Sequence, residues 1–171
     1  PGTSFAGLVR EARAAGYTEP DPRDDLSGMD VARKLVILGR ELGLALDLDG
    51  VDVESLVPDA LADAGVDAFL DGLDALDRPM SERIRQAEDA GEVLRYTAGL
   101  DAAGSARVGL AALPGDHPFA HLALTDNVVA FTTERYCDNP LVVQGPGAGP
   151  EVTAAGVFSD LLRIAQAIGE R

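Results

Sequence analysis

The residues best suited to chemistry in this sequence lie close together, between Glu19 and Lys34. This run contains five carboxylates and one lysine: Glu19, Asp21, Asp24, Asp25, Asp30 and Lys34. Residues four apart on a helix lie one turn above each other, so Asp30 and Lys34 would share one face. A carboxylate beside an ammonium, next to a cluster of acids, can bind a small polar substrate and transfer a proton.

The acidic bend that precedes this pair, Glu19–Ser27, contains two prolines. Each proline fixes its own φ and favours extended geometry at the residue before it. We therefore predict a rigid bend that is not an ordinary solvated helix face. Asp25 or Ser27 would then cap the following helix through a side-chain oxygen.

The same residues also have a purely structural interpretation. An Asp–Lys pair four residues apart is commonly an exposed pair worth about 0.2–0.5 kcal/mol. Acidic loops are also often only solvent-facing, because charged side chains are rarely buried. The spacing alone leaves both interpretations open.

Helices in the first half of the chain and strands in the second must position these residues. Apolar residues at helical spacing predict helices at 4–15 (ending at Gly16), 30–42, 59–74, 80–90 and 152–168. Short β-rich runs between turn residues predict strands at 92–100, 106–113, 121–124, 128–135 and 141–144. Segment 44–57 is mixed and favours loops or a short strand. This order indicates an α+β fold, with a mixed β-sheet covered by helices on one face.

The composition is typical of one soluble globular domain. The 171 residues are 46% hydrophobic and 25% charged. The net charge of −15 argues against nucleic acid or an anionic membrane as a partner. No apolar run approaches the roughly 18 residues of a membrane span, and no signal-peptide pattern opens the sequence. The single cysteine, Cys137, fits a reducing compartment, so we expect a cytoplasmic protein.

Two separated blocks of the sequence resemble the signature segments of homoserine dehydrogenases. The first block runs from Ala12 to Lys34 and combines a glycine, an Asp-Pro pair, an Asp-Leu-x-Gly-x-Asp pattern and a lysine four residues later. The second block, residues 145–157, resembles the family's C-terminal glycine loop and the helix after it. Both blocks occur in the family's order. The resemblance covers nearly all of the family's C-terminal substrate and dimerisation portion.

The resemblance implies a reaction and roles for five residues. Homoserine dehydrogenases interconvert L-homoserine and L-aspartate 4-semialdehyde with NAD or NADP, in threonine and methionine biosynthesis. Lys34 matches the family's acid/base lysine, which would stabilise the developing alkoxide and donate its proton. Glu19 and Asp30 match the acids that bind the substrate's α-ammonium. Asp24 and Asp25 are candidate supports for them, and a capping role is equally consistent for Asp25.

The resemblance also implies where the dinucleotide would approach the backbone. Gly16 and Gly149 match the family's positions, where a missing Cβ allows close approach; a helix cap is the alternative for Gly16. A nucleotide-binding glycine fingerprint is missing from the sequence. We therefore expect residues 1–171 to form the catalytic domain, without the Rossmann domain, and to be inactive alone. The chain is similar to the compact form of the family or to the C-terminal part of an aspartokinase fusion.

We predict no metal site in this sequence. His117 and His121 are four apart outside a predicted helix, with no cysteine or carboxylate cluster nearby, so we interpret both as structural. The resemblance further implies a homodimer formed through the block of strands. A binding or dimerisation domain without turnover is the alternative function.

Overall fold

The computed structural model describes residues 3–122, 126–147 and 150–169. The chain divides into two units, Pro1–Gly115 and Asp116–Arg171. The helices described in the first unit are α1 (Phe5–Ala14), α2 (Pro22–Leu26), α3 (Met29–Glu41), α4 (Val66–Gly72) and α5 (Asp77–Asp89). Its strands are β1 (Val51–Val53), β2 (Glu92–Leu100) and β3 (Ala106–Pro114).

The three strands of the first unit form one sheet in the order β1-β3-β2. β1 runs parallel to β3, and β2 pairs antiparallel with β3 from Glu92 opposite Pro114 to Leu100 opposite Ala106. The short strand expected within 44–57 is therefore present as β1. The sheet is mixed, as predicted, because a helical segment connects β1 to β2 while a tight turn connects β2 to β3.

Two clusters of buried apolar side chains hold the first unit together. The first cluster joins the apolar stripe of α3 to the sheet and comprises Ala32, Leu35, Val36, Leu46, Val51, Ala106 and Val108. The second cluster joins α1 to α4 and comprises Ala6, Val9, Phe69, Leu70 and Leu73. Val9 of α1 and Leu35 and Val36 of α3 belong to the apolar spacing that predicted both helices.

The second unit contains a two-stranded antiparallel sheet, β4 (Asp126–Phe131) with β5 (Leu141–Pro146), and helix α6 (Pro150–Gly169). A 3₁₀ turn, Pro118–His121, precedes β4. None of the residues described in α6 is buried. In the described part of the chain, no helix is both long and apolar enough to cross a bilayer.

The prediction of one continuous helix over 59–74 was wrong. The segment forms a 3₁₀ turn at Asp59–Leu61, an irregular stretch, helix α4 and a second 3₁₀ turn at Leu73–Leu76. The irregular stretch exists because the carbonyl oxygens of Ala62 and Ala64 accept hydrogen bonds from a distant arginine side chain.

Other parts of the chain also differ from the predictions. The predicted strand at 121–124 starts inside the 3₁₀ turn, and residues 123–125 lie outside the described residues. The predicted strand at 128–135 starts at Asp126 and ends at Phe131, and the N–H of Tyr136 then donates to Thr133 in a turn. The acidic bend contains the short helix α2, because Pro22 occupies its first turn, where a missing N–H has no cost.

Candidate active site

Arg23 anchors the acidic bend to another part of the first unit. Its Nε and Nη2 atoms donate to the two oxygens of Asp21 at 3.0 and 2.6 Å. Its Nη1 atom donates to the carbonyl oxygens of Ala62 and Ala64 at 2.7 and 2.5 Å. The guanidinium also lies over the ring of Phe69, 5.6 Å from the centroid. The hydrogen bond from Arg23 lowers the pKa of the Asp21 carboxyl below its usual value.

The remaining side chains of the bend complete its internal hydrogen bonds. Asp25 does not cap α3; its Oδ2 atom accepts the backbone N–H of Glu19 at 2.9 Å and closes the bend. Ser27, the alternative, offers its side-chain oxygen to the start of α3: its Oγ atom accepts the N–H of Met29 at 3.3 Å, beside Gly28 at the N-cap position. Asp21 caps α2 by accepting the N–H of Arg23 at 3.0 Å.

Gly28 connects the bend to α3 at a crowded position. Its φ is +75°, a conformation that L side chains rarely adopt. A Cβ at this position would lie 2.0 Å from the hydroxyl of Tyr96 and 3.2 Å from a methyl of Val53. The start of α3 therefore rests directly on the sheet, since Tyr96 is in β2 and Val53 is in β1.

Tyr96 and Glu54 fix this junction from the sheet side. The Tyr96 hydroxyl donates to the carbonyl oxygen of Glu54 at 2.7 Å. The Glu54 carboxylate is bonded to Arg83 and accepts the N–H of Leu110 at 3.1 Å. The bond to Arg83 lowers the pKa of Glu54, whereas burial raises the pKa of Tyr96. These contacts hold the first turn of α3 in a defined place.

Asp30 and Lys34 pair on the exposed face of α3. The Nζ atom of Lys34 lies 2.8 Å from Oδ2 of Asp30. The two side chains are 62% and 64% exposed, so the pair faces solvent in this chain. The four-residue spacing places both groups on one helix face, as predicted.

An open cleft of about 850 Å³ lies beside the acidic bend and the start of α3. Four of the candidate acids line it: Glu19, Asp24, Asp25 and Asp30. Lys34 is not among the lining residues, and it approaches the cleft only through its pair with Asp30. Arg23 and Arg33 also line the cleft. The structure thus brings the acids together around one space that Lys34 adjoins.

Of the two candidate cofactor positions, Gly16 is the one that lies among the described residues. Gly16 ends α1 with φ +75°, and the N–H groups of Gly16 and Tyr17 donate to the carbonyls of Arg13 and Ala12. This is a Schellman cap, so the structural role proposed as the alternative is present. No described atom beyond its chain neighbours lies within 4 Å of a Cβ built on Gly16, which leaves room for a ligand. Gly149 lies outside the described residues.

Both histidines belong to a 3₁₀ turn in the second unit. The Nδ1 atom of His117 accepts the N–H of Phe119 at 3.1 Å, and the two rings pack edge to face at 4.7 Å. His117 thus caps the start of the turn. His121 is the last residue of the turn. Among the residues that the structure describes, no three His, Cys, Asp or Glu side chains form a group that could hold a metal.

Comparison with known proteins identifies the family. A sequence model described as homoserine dehydrogenase matches residues 1–162 of the chain. The chain belongs to the homoserine dehydrogenase family. The resemblance indicated by the two sequence blocks is therefore confirmed.

Relatives of two kinds resemble this homoserine dehydrogenase chain. It is 55% identical to bifunctional aspartokinase/homoserine dehydrogenase 2 of Zea mays, over 97% of the chain and 18% of that relative. It is 45% identical to a homoserine dehydrogenase of Schizosaccharomyces pombe, over 94% of the chain and 44% of that relative. The chain thus spans less than half the length of either one.

A solved structure confirms the α+β fold. A Candida auris protein of unknown function matches with a TM-score of 0.90 and 44% identity. The match covers 97% of this chain and 47% of that protein.

Several contributors to the site were missed from the sequence. Arg23 and Arg33 are not among the residues predicted from the sequence, although each lies within the signature segment. Tyr96 and Glu54 act through contacts between residues distant in sequence, which no local pattern indicates. The sequence carries a further signal for Lys34, which was predicted: it is the only lysine among the 14 Lys and Arg residues of the chain. A lysine can release a proton near neutral pH when its surroundings favour it, whereas arginine cannot.

Proposed function

We propose that this chain supplies the substrate site and the acid/base lysine of a homoserine dehydrogenase. The enzyme would interconvert L-homoserine and L-aspartate 4-semialdehyde in the pathway to threonine and methionine. The observation that carries this proposal is the position of Asp30. Its carboxylate lines the acidic cleft and also bonds Lys34, so one residue links the substrate-binding acids to the proton-transfer group.

The acidic cleft suits the α-ammonium of the substrate. The carboxylates of Glu19 and Asp30 would accept hydrogen bonds from this ammonium. Such charge-assisted hydrogen bonds are stronger than those between neutral groups. Asp24 and Asp25 would add negative charge beside them. Since Asp25 already bonds the backbone of Glu19, its contribution is to hold that residue in place.

Lys34 would exchange the proton of the substrate's C4 oxygen. In the reduction of the aldehyde, its ammonium donates a proton to the oxygen as the carbon receives hydride. In the oxidation of homoserine, its neutral amine accepts the hydroxyl proton as the carbon loses hydride. Asp30 orients the Nζ atom from one turn below, which is a positional contribution to general acid–base catalysis.

A bound NAD or NADP supplies or accepts the hydride in this reaction. We propose that the backbone at Gly16 and Gly149 faces this dinucleotide. The open space at Gly16 supports this, because a flat ring or ribose could approach the main chain there. The choice between NAD and NADP is not assigned to residues of this chain.

We also propose that the complete protein is a homodimer formed through its strands. Three apolar side chains of β5 support this, since Leu141, Val142 and Val143 are all partly exposed. We expect a cytoplasmic location, although the Zea mays relative is named as chloroplastic. Light scattering of the complete protein would measure its oligomeric state.

Substitution of Lys34 tests the proposed function. In the full-length protein that carries this chain, we expect Lys34→Ala to lower kcat for homoserine oxidation by about 10²–10⁴, with little change in the dinucleotide KM. Lys34→Arg keeps the positive charge but cannot transfer the proton, so it should be nearly as slow. The rate of formation of the reduced dinucleotide is the measurement.

The matched control is Arg85→Gln, which removes a cation from the exposed face of α5, outside the cleft. This variant should retain wild-type kinetics. A kinetically normal Lys34→Ala enzyme would remove Lys34 from the mechanism. The 171-residue chain alone should show no turnover, and turnover by it would contradict the expected need for a dinucleotide-binding domain.

A further inference from the structure

The cleft beside the acidic bend carries far more negative than positive charge. Six carboxylates line it: Glu19, Asp21, Asp24, Asp25, Asp30 and Asp59. Only two cations are among its lining residues, Arg23 and Arg33. A ligand with one positive group is attracted by this surface. A ligand that also carries a negative group needs a cation of the protein within the cleft.

Arg23 is not available for that task. Its donors already bond the Asp21 carboxylate and the carbonyls of Ala62 and Ala64, and its side chain is only 20% exposed. Turning it toward a ligand would break several hydrogen bonds at once. Its role is to hold the bend.

Arg33 is in the opposite situation. Within the part of the chain that the structure describes, its guanidinium has no hydrogen bond or ion pair. The nearest acid along α3, Asp30, is already bonded to Lys34. Arg33 is thus a cation on the wall of an acidic cleft whose donors remain free for a ligand.

Asp30 and Arg33 are three residues apart on α3. Side chains at this spacing are neighbours on a helix, with Cβ atoms about 5–6 Å apart. One of them accepts hydrogen bonds and the other donates in a planar fork that matches a carboxylate. The pair presents complementary charges for the two charged groups of an α-amino acid.

We propose that Arg33 binds the α-carboxylate of the amino-acid substrate, while Asp30 and Glu19 receive its α-ammonium. This inference rests on the proposed function and adds a specificity-determining residue to it. Arg33 would therefore let the enzyme select amino-acid alcohols over simple amino alcohols. The α-carboxylate would be held away from the reacting C4 end, where Lys34 acts.

The phosphates of the dinucleotide are the other anions that Arg33 could meet. The surroundings argue against them, because the six carboxylates around one guanidinium would repel a group with several negative charges. A zwitterion is different, since its ammonium is attracted by the same acids. The charge pattern therefore favours the substrate over the cofactor.

A pair of inhibitors that differ only in the carboxylate tests this assignment. L-2-Aminobutyrate keeps both charged groups of homoserine and lacks its hydroxyl; propylamine lacks the carboxylate as well. In the full-length protein, Arg33→Gln should weaken competitive inhibition by L-2-aminobutyrate about 10- to 100-fold. Inhibition by propylamine should change less than about threefold, because its ammonium uses only the acids.

Further variants make the result specific to Arg33. Arg33→Lys keeps the charge without the fork, so its inhibition constant for L-2-aminobutyrate should be intermediate. Arg85→Gln should leave both inhibition constants unchanged. Circular dichroism of each variant checks that the fold is retained.

Each outcome separates this inference from the proposed function. Equal weakening of both inhibitors, or none, in an enzyme that oxidises homoserine would overturn the role of Arg33 alone. A raised dinucleotide KM with unchanged inhibition by L-2-aminobutyrate would overturn it in favour of phosphate binding. A wild-type protein that does not oxidise homoserine with either dinucleotide would remove the proposed function, and this inference with it.

Discussion

The acidic bend and the charged face of α3 (Asp30, Arg33 and Lys34) border the same region, but they are held in different ways. In the bend, Arg23 bonds a carboxylate and two distant carbonyls, and Asp25 bonds the backbone of Glu19. On α3, the Asp30 and Lys34 side chains bond each other and no other described residue, and both are more than half exposed. The bend is fixed by contacts across the fold, whereas the charges of α3 depend on the helix backbone alone.

This difference separates the groups that build the site from the groups we expect to act in it. Side chains with many partners cannot move toward a substrate without losing those partners. Side chains with one exposed partner can exchange it for a ligand at little cost, because exposed ion pairs are weak. Substitutions of the bonded side chains in the bend and at its junction with α3 should therefore affect stability first, and substitutions of Glu19 or of the charges on α3 should affect activity first.

The largest effect on stability is expected at Gly28, where the two regions meet. Gly28→Ala forces a side chain into φ +75° and places its Cβ 2.0 Å from the Tyr96 hydroxyl. The strained φ costs about 1–2 kcal/mol, and the overlap adds roughly 1–3 kcal/mol. We expect the free energy of unfolding to fall by about 2–5 kcal/mol in chemical denaturation.

Gly16 provides a matched control because its φ is also +75° and its Cβ position is open. Gly16→Ala should cost only the strain of about 1–2 kcal/mol. Adding Tyr96→Phe to Gly28→Ala should relieve part of the overlap and restore part of the lost stability, since it removes the hydroxyl. Equal losses for the two glycine variants would show that the contact with Tyr96 does not constrain the start of α3.

A smaller effect is expected from removing the anchor of the bend. Arg23→Gln removes the guanidinium donors of the Asp21 carboxylate, which keeps only the backbone N–H of residue 23, and the donor of the Ala62 and Ala64 carbonyl oxygens. We expect the midpoint of thermal unfolding to fall by several degrees and the homoserine KM to rise, because Glu19 and Asp25 lose their fixed position. Arg85→Gln, with two long ion pairs of 3.9 and 4.0 Å, should change neither quantity.

The loss of stability in Arg23→Gln should depend on pH. Arg23 lowers the pKa of Asp21, whose ordinary value is 3.8, in the folded state. The stability from this carboxylate is therefore present above pH 3.8 and is lost as the pH falls through the lowered folded pKa. The difference in unfolding midpoint between wild type and Arg23→Gln should shrink as the pH falls below about 4. A difference that stays constant with pH would argue against the Arg23–Asp21 contact as its source.

Local patterns in the sequence predicted the helices and strands that have a clear apolar period. α1, α3 and the β2–β3 pair lie close to their predicted bounds, because their apolar faces meet the two buried clusters. The helix predicted over 59–74 failed for a tertiary reason. The carbonyls of Ala62 and Ala64 bond Arg23, which is about 40 residues earlier in the chain.

In the candidate site, too, local contacts could be predicted from the sequence and tertiary contacts could not. The one-turn relation of Asp30 to Lys34 could be predicted, since it depends only on helix geometry. The roles of Arg23 and Tyr96 could not, because their partners come from other elements. The prediction that Asp25 or Ser27 offers a side-chain oxygen to the start of α3 was right for Ser27, whereas Asp25 bonds the backbone of Glu19 instead.

The smallest effect on stability is expected on α3 itself. Asp30→Asn removes an exposed pair with Lys34, so the free energy of unfolding should change by less than about 0.5 kcal/mol. The same substitution should raise the homoserine KM and lower kcat, because it removes an acceptor for the α-ammonium and the group that orients Lys34.

Asp89→Asn is the matched control, since Asp89 also pairs with a cation four residues away on an exposed helix face. Both variants should be equally stable, and only Asp30→Asn should lose activity. If Asp30→Asn instead unfolds easily while keeping normal kinetics, the charges of α3 belong to the scaffold, and the division between fixed bend and acting helix is wrong.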